Sequence, residues 1–388
     1  MIAGIKPFET HNLNSEEPSF VLEEFEKICS VPETAHVFTI SYDFGNKLQG
    51  IDAPGHEFEP DIHVQSFRSL IVYDYESNET LVEGDQSSAE LLIESLMNKR
   101  ESEPPPQISR VSRPRSNFTK EEYVRAVMAI QDEIRKGYTY QTNLTQQFRS
   151  ECDRSPHHVF KYLRKSHPAA FSSFITREED TVVSISPERF FSIEGFEDSR
   201  IIRSSPIKGT RRRGSNPHED RLLKAELASS EKDRAENTMI VDLIRNDLGR
   251  VCQFGSVDVE DLCAIEEHPS LFHMVSTVSG TLRQDIGISD VLAAVFPCGS
   301  ITGCPKLSTM KLIAELEKVP RGLSMGAIGY KDFNGNFDLN VAIRTMVFRG
   351  RSVSFNVGGG VVIDSDPVDE YEESLLKAKA ILAALSEN

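Results

Sequence analysis

Hydrophobic and polar positions alternate with two periods along this chain. Val37-Phe38-Thr39-Ile40-Ser41-Tyr42 and Leu70-Ile71-Val72-Tyr73-Asp74-Tyr75 carry strand patterns, and Ala89 to Asn98 reads as an amphipathic helix. A proline-rich stretch follows, Glu101-Ser102-Glu103-Pro104-Pro105-Pro106, continuing through Arg113-Pro114-Arg115-Ser116. Such a stretch favours an extended spacer over helix. Thr119-x-x-Glu122 is a capping box, with Tyr123, Val127, Ile130 and Ile134 at helical spacing and Gly137 as a stop. Strand patterns then run through Thr142–Phe148, Phe171–Thr176, Val182–Ser186, Phe190–Glu194 and Ile201–Ser204, with a turn at Arg177-Glu178-Glu179-Asp180. Helical patterns occupy about Pro217 to Leu248, strands return from about Gly326 to Val362, and a last helix spans about Pro367 to Leu385. Runs of strands exchanging with runs of helices predict an α+β fold with antiparallel sheets. The expected division is an N-terminal region over 1–105, a linker over 106–117 and the main region over 118–388.

The chain has 388 residues, two or three domains' worth at roughly 150 residues per domain. Its net charge of −17 disfavours nucleic acid and anionic membrane as partners. A small anionic substrate stays open, because Arg211, Arg212 and Arg213 cluster, as do Arg245 and Arg250. The six cysteines form no C-x-x-C pair, the first ten residues carry no apolar core, and no apolar run approaches the ~18 residues of a membrane span. A cytoplasmic protein with reduced thiols is expected.

Two acidic pairs give the first chemical signal. Asp233 and Glu236 share one helix face, and so do Glu370 and Glu373, with Lys377 one turn further. Brought together, the pairs would suit Mg²⁺, which takes few carboxylates plus water and an anionic substrate. The same spacing also fits a solvated helix face. Gly358-Gly359-Gly360 suits either close approach of backbone amides to an anion or a tight turn. Gly299-Ser300-Ile301-Thr302-Gly303-Cys304-Pro305-Lys306 precedes a helical pattern and lacks the Gly-Lys-Ser/Thr ending of a phosphate-binding loop. His273 alone fits a structural histidine. Lys208, in Ser205-Pro206-Ile207-Lys208-Gly209-Thr210, lies between a strand-like run and an Arg-rich turn.

Together these segments resemble the chorismate-utilising enzymes over residues 118–388. The matching stretches stand in family order: Tyr140 to Leu144, Ser186 to Phe190, Pro206 to Thr210, Lys232 to Val251, Gly299 to Lys306, Ala342 to Thr345, and Gly358 to Lys377. The resemblance implies two large antiparallel β-sheets flanked by helices, with a cleft active site that binds chorismate and Mg²⁺. It implies that Glu236 and Glu373 bind the metal, with Asp233 and Glu370 beside it through water. Glu188 matches the general acid for the departing C4 hydroxyl. Thr302, Tyr330, Arg344, the Gly358, Gly359 and Gly360 amides, and Lys377 match substrate-holding groups, and His273 a pocket histidine.

Two positions separate the branches. Family members that add water use a lysine base where this chain has Gln141, which cannot deprotonate water. Anthranilate synthases carry alanine where this chain has Lys208, whereas aminodeoxychorismate synthases carry lysine. The chain therefore resembles that last branch most. The resemblance implies a covalent Lys208 nucleophile, with Arg211 a neighbouring cation, and a separate glutamine amidotransferase subunit as the source of ammonia. The alternatives are anthranilate synthase component I and a non-catalytic chorismate-binding homologue. The segment that builds a tryptophan pocket in longer relatives is not found, so no response to tryptophan is expected.

Overall fold

The capping box forms as the sequence predicts. Glu122 N donates to Thr119 Oγ1 at 3.2 Å and Thr119 N to Glu122 Oε2 at 2.8 Å, opening the Lys120–Arg135 helix. Gly137 follows at φ +80°, a conformation that costs glycine little. Tyr123, Val127 and Ile130 are buried against Leu144 and Val361 and seat this helix on a sheet. The computed structural model describes residues 1–97, 111–196, 199–268 and 271–386. Residues 106–110 of the expected linker lie outside these.

Among the described residues, two large sheets carry the fold. Both are antiparallel throughout. A ten-stranded sheet runs in the order Ile207–Arg212, Leu271–Thr281, Ile201–Ser205, Arg189–Glu194, Phe337–Val341, Ala327–Lys331, Ala35–Ile40, Ile62–Phe67, Glu9–Leu13, with Asp258–Glu267 also on Leu271–Thr281. A seven-stranded sheet runs Gly303–Cys304, Gln141–Glu151, Ser352–Val361, Thr345–Arg349, Thr181–Ser186, Phe171–Thr176, with Arg115–Ser116 on Gln141–Glu151. Strands from the first seventy residues thus sit in the same sheet as Ala327–Lys331. A small third sheet joins Ile2–Ala3, Ser69–Asp74 and Glu79–Gly84.

The largest apolar cluster lies between the ten-stranded sheet and its helices, where Phe38, Ile40, Phe191 and Leu339 meet Phe25, Ile240, Ile244 and Leu292. Helices Pro156–Ser166 and Pro367–Ser386 cover the other sheet through Val159, Leu163, Ala378 and Ile381. The two sheets meet at Ile175 and Val182 against Leu323, Ile328 and Ala342.

The predicted turn at Arg177 is tied to Glu59 and to the Ala35–Ile40 strand, where Arg177 Nη1 donates to Thr39 Oγ1 at 3.2 Å. Arg177 N donates to Asp180 O at 2.9 Å. Its buried guanidinium is bidentate to Glu59 (Nη1–Oε1 2.5 Å, Nη2–Oε2 2.9 Å) and to Asp180 (Nε–Oδ1 2.6 Å, Nη2–Oδ2 2.9 Å). Arg177→Ala would strand two buried carboxylates. We expect it to lower unfolding stability by about 3–5 kcal/mol, read as an earlier denaturation midpoint. An unchanged midpoint would refute this.

All six cysteines are free thiols. Among the described residues, no helix is long and apolar enough to cross a membrane.

Candidate active site

The chain crosses between the two large sheets twice at one place. Ser186 ends a strand of the seven-stranded sheet and Arg189 begins one of the ten-stranded sheet, so Pro187 and Glu188 form the crossing. Ala342, Ile343 and Arg344 make the return crossing. The crossings bond to each other: Val341 N donates to Glu188 O at 3.1 Å, Ser186 Oγ to Val341 O at 2.6 Å, and Ile185 N to Arg344 O at 3.2 Å. Arg344 adopts φ +50°, which a bulky side chain holds only when its surroundings fix it. It has no carboxylate partner among the described residues.

Lys208 owes its direction to a β-bulge. Ile207 pairs with Val275 and Thr210 with His273, so Lys208 and Gly209 together oppose Met274 alone. Pro206 interrupts the strand just before, and Gly209 takes φ +86°. A Cβ on Gly209 would meet Leu227 Cδ1 at 2.9 Å and Asp233 Cγ at 3.0 Å, so the bulge packs tightly against the helices. Contrary to the sequence reading, no turn starts at Arg211. The strand continues through Arg212 because Arg211 and Arg212 pair with Phe272 and Leu271. Arg211 is committed to Glu226 (2.9 Å) and Asp233 (3.2 Å) rather than to Lys208.

Glu188 is 6% exposed, and burial pushes its carboxyl above the ordinary value of 4.5. The Ser300 hydroxyl, the Lys208 charge and the Ile207 amide oppose that rise. Its Oε1 has no hydrogen-bond partner among the described residues.

Helix Glu231–Gly249 brings in the first acidic pair. Ser230 caps it by accepting from Asp233 N at 3.3 Å, so Asp233 and Glu236 stand in its first turns. Burial raises Glu236 despite the opposing Lys208 and Lys232, and Asp233 and Glu373 add to the rise. The second pair lies on Pro367–Ser386. Glu370 is buried, raised by desolvation, and accepts from Ser365 Oγ at 2.7 Å. Burial also pushes Glu373 up, but Lys377, Lys232 and Lys208 outweigh it, so its net shift is downward. Lys377 Nζ sits 2.7 Å from Glu373 Oε1 and donates to Gly358 O at 2.9 Å. A Cβ on Gly359 would lie 3.2 Å from Glu370 Oε2 and 3.4 Å from Lys377 Nζ.

The acids of the two helices therefore act on each other electrostatically, and Lys208 and Lys232 act on both. Among the described residues, no three carboxylate, histidine or cysteine side chains converge at metal-ligand spacing. Asp233, Glu370 and Glu373 are each held by another partner, Arg211, Ser365 and Lys377 respectively. Glu236 and Glu373 would offer Mg²⁺ two carboxylates, a number that water and a further ligand would have to complete.

The remaining predicted residues fall into groups. His273 Nδ1 is 2.9 Å from Thr210 Oγ1, and burial, then His268 and Arg344, push its pKa down to about 4, so it is neutral at neutral pH. Thr302 is fully buried and its hydroxyl donates to Cys298 O at 3.0 Å. Gly358, Gly359 and Gly360 continue a strand instead of making a turn. Beyond Phe355 that strand is paired on one edge only, which leaves alternate backbone groups unclaimed by a strand. Tyr330 lies on the Ala327–Lys331 strand. Burial, then Asp338, pushes its pKa up to about 12, with Arg189 opposing. Gln141 is fully buried with neither amide atom partnered among the described residues, and a Cβ on Gly360 would lie 2.4 Å from its Nε2. Sequence reasoning missed Lys232, which immediately precedes Asp233, and Ser300, inside a motif from which only Thr302 was chosen. A separate 860 Å³ cavity behind helix Glu231–Gly249, beside Tyr140 and Lys306, contains none of Lys208, Glu188, Glu236 or Arg344.

Residues 4–383 match the family of chorismate binding enzymes. The chain belongs to that family. It is 42% identical over 271 residues to anthranilate synthase component 1 of Aquifex aeolicus, covering 70% of this chain and 54% of that one. It is 36% identical over 359 residues to aminodeoxychorismate synthase component 1 of Bacillus subtilis, covering 89% and 76%. The crystal structure of anthranilate synthase component I from Streptococcus pneumoniae superposes with a TM-score of 0.86 at 26% identity, covering 98% of this chain and 91% of that chain. The expected architecture of two large antiparallel sheets with flanking helices is therefore the family's own. Relatives of both names match this chain, so overall similarity does not separate the two products.

Proposed function

We propose that this protein is an aminodeoxychorismate synthase component I, converting chorismate and ammonia to 4-amino-4-deoxychorismate and water. The observation that carries this reading is the bulged Lys208, whose charge acts on Glu188, Glu236 and Glu373 alike. An anthranilate synthase does not need an amine at that position.

In the proposed sequence, Lys208 Nζ first gives a proton to solvent and then, as the free amine, bonds to C2 of chorismate. The ring double bonds shift and the C4–O bond breaks, with Glu188 giving its proton to the departing oxygen, which leaves as water. Ammonia then bonds to C4, the double bonds shift back and the C2–Nζ bond breaks. The proton shed by the new amine restores Glu188. Arg344 and those backbone amides of Gly358–Gly360 that no strand claims hold the substrate's carboxylates, while neutral His273 lines the pocket without adding charge. Glu236 and Glu373 would hold Mg²⁺, with Asp233 and Glu370 behind them; when bound, it supplies positive charge for the dianionic substrate. Ammonia would come from a separate glutamine amidotransferase subunit.

Chorismate loss, followed by its ultraviolet absorbance, tests this reading first. Turnover should require both Mg²⁺ and ammonium when the partner is absent. Binding without turnover under those conditions would favour a non-catalytic homologue.

A further inference from the structure

Arg321 is 3% exposed, and two of its hydrogen bonds end on backbone carbonyls beside predicted substrate groups. Its guanidinium holds Glu317, equally buried, in a bidentate pair (Nε–Oε2 2.8 Å, Nη2–Oε1 2.6 Å). From the same fork, Nη1 donates to Ile301 O at 2.9 Å and Nη2 to Asn143 O at 2.7 Å. The arginine is itself fixed by other elements. Its Cζ stacks 4.4 Å from the Tyr42 ring centroid, and Asp43 accepts from Arg321 N at 3.1 Å and Gly322 N at 2.9 Å. Thr145 N donates to Glu317 Oε1 at 2.7 Å.

Both carbonyls matter for their neighbours. Ile301 precedes Thr302, and Thr302 O accepts from Asn143 N at 2.7 Å. The two segments meet so closely that Gly303, at φ +145°, leaves no room for a side chain. A Cβ there would lie 2.0 Å from Gln141 O. Asn143 also pairs with Gly360 on the adjacent strand. It spends its N–H on Thr302 and its carbonyl on Arg321, so this is a non-hydrogen-bonded pair and the Gly360 backbone groups turn to the opposite edge. Beyond Phe355 no strand claims that edge. Building on the reading of Thr302 and the Gly358–Gly360 amides as substrate-holding groups, we propose that Arg321 is a positioning residue for chorismate. It clamps Ile301 and Asn143 at one separation, and through them sets Thr302 and the Gly360 amide.

Two readouts test the proposal in the full-length protein. The first is chorismate affinity, by calorimetry with Mg²⁺ and without ammonium. The second is the split of ammonium-dependent turnover into kcat and KM. Arg321→Lys keeps the charge beside Glu317 but presents its donors from one point, so it cannot span Glu317 and both carbonyls. Chorismate Kd and KM should each rise about tenfold, the scale of one charge-assisted hydrogen bond, with kcat within about twofold of wild type. Arg177→Lys, the same change in another arginine held by buried carboxylates, should lower the melting temperature and leave Kd and KM in place. A merely structural role for Arg321 would make the two variants alike. Should Arg321→Lys fail to fold, Arg321→Met combined with Glu317→Gln removes both buried charges together, a change that folds tolerate, and should show the same rise. Unchanged Kd and KM in the Arg321 variant that folds, or a fall in kcat alone, overturns the proposal. The binding readout needs no product, so the two readings fail separately. A wild type that binds chorismate but forms no 4-amino-4-deoxychorismate removes the assigned activity, while the tenfold rise in Kd would still establish the clamp.

Discussion

Lys208→Ala should lower ammonia-dependent turnover of chorismate by more than about 10³-fold, the scale of losing a covalent nucleophile. The side chain projects from a bulge whose geometry is set by Pro206, by Gly209 at φ +86° and by the pairing on either side. None of that needs the lysine amine, so the variant should fold with an unchanged melting temperature. Mass spectrometry of the acid-quenched wild type should show a chorismate-derived adduct on the peptide containing Lys208, absent from the variant. Unchanged turnover together with no adduct would sink the covalent route. Lys208→Arg keeps the charge that acts on Glu236 and Glu373 but should not restore turnover, because guanidinium stays protonated. Full rescue by arginine would reassign Lys208 to simple charge balance.

Glu188→Gln should cost about 10²–10⁴-fold in turnover, the usual worth of a general acid, while leaving chorismate binding nearly intact. Its effect on stability should have the opposite sign. Burial raises the Glu188 carboxyl above 4.5 in the folded protein, so the folded state binds its proton more tightly than the unfolded chain does. Stability from this group is therefore fully present below pH 4.5 and is lost as pH rises through the raised value. Glutamine removes that penalty. At pH 8 the variant should melt at or above the wild-type temperature, and the difference should vanish in acid. In the wild type, turnover should fall as pH rises through the same raised value, because the acid must enter the reaction protonated. A variant that is less stable at pH 8 yet fully active would contradict both assignments.

The parts of the fold legible in the sequence were those with strong local patterns. The Thr119 capping box, the Phe171–Thr176 strand and the final helix all formed where the patterns lay. The long hairpin of Asp258–Glu267 and Leu271–Thr281 escaped, because acidic residues interrupt the apolar alternation of its first strand. Lys208, Glu188 and the acidic pairs could be picked out as candidates because each lies in a motif of several residues. What local pattern could not give is the side-by-side pair of crossings at Pro187-Glu188 and Ala342-Ile343-Arg344. That arrangement depends on pairing between strands far apart in the chain. The influence of Ser300 on Glu188 and of Lys232 on Glu373 stayed hidden for the same reason, since each acts on a group of another element.

The central claim is amination at C4, and product identity tests it most directly. The purified protein, with chorismate, Mg²⁺ and ammonium, would be assayed with and without an added lyase that cleaves 4-amino-4-deoxychorismate. The account predicts 4-aminobenzoate only when the lyase is present, and no anthranilate fluorescence in either case. Anthranilate formed without the lyase would contradict it and move the protein to the other branch of the family.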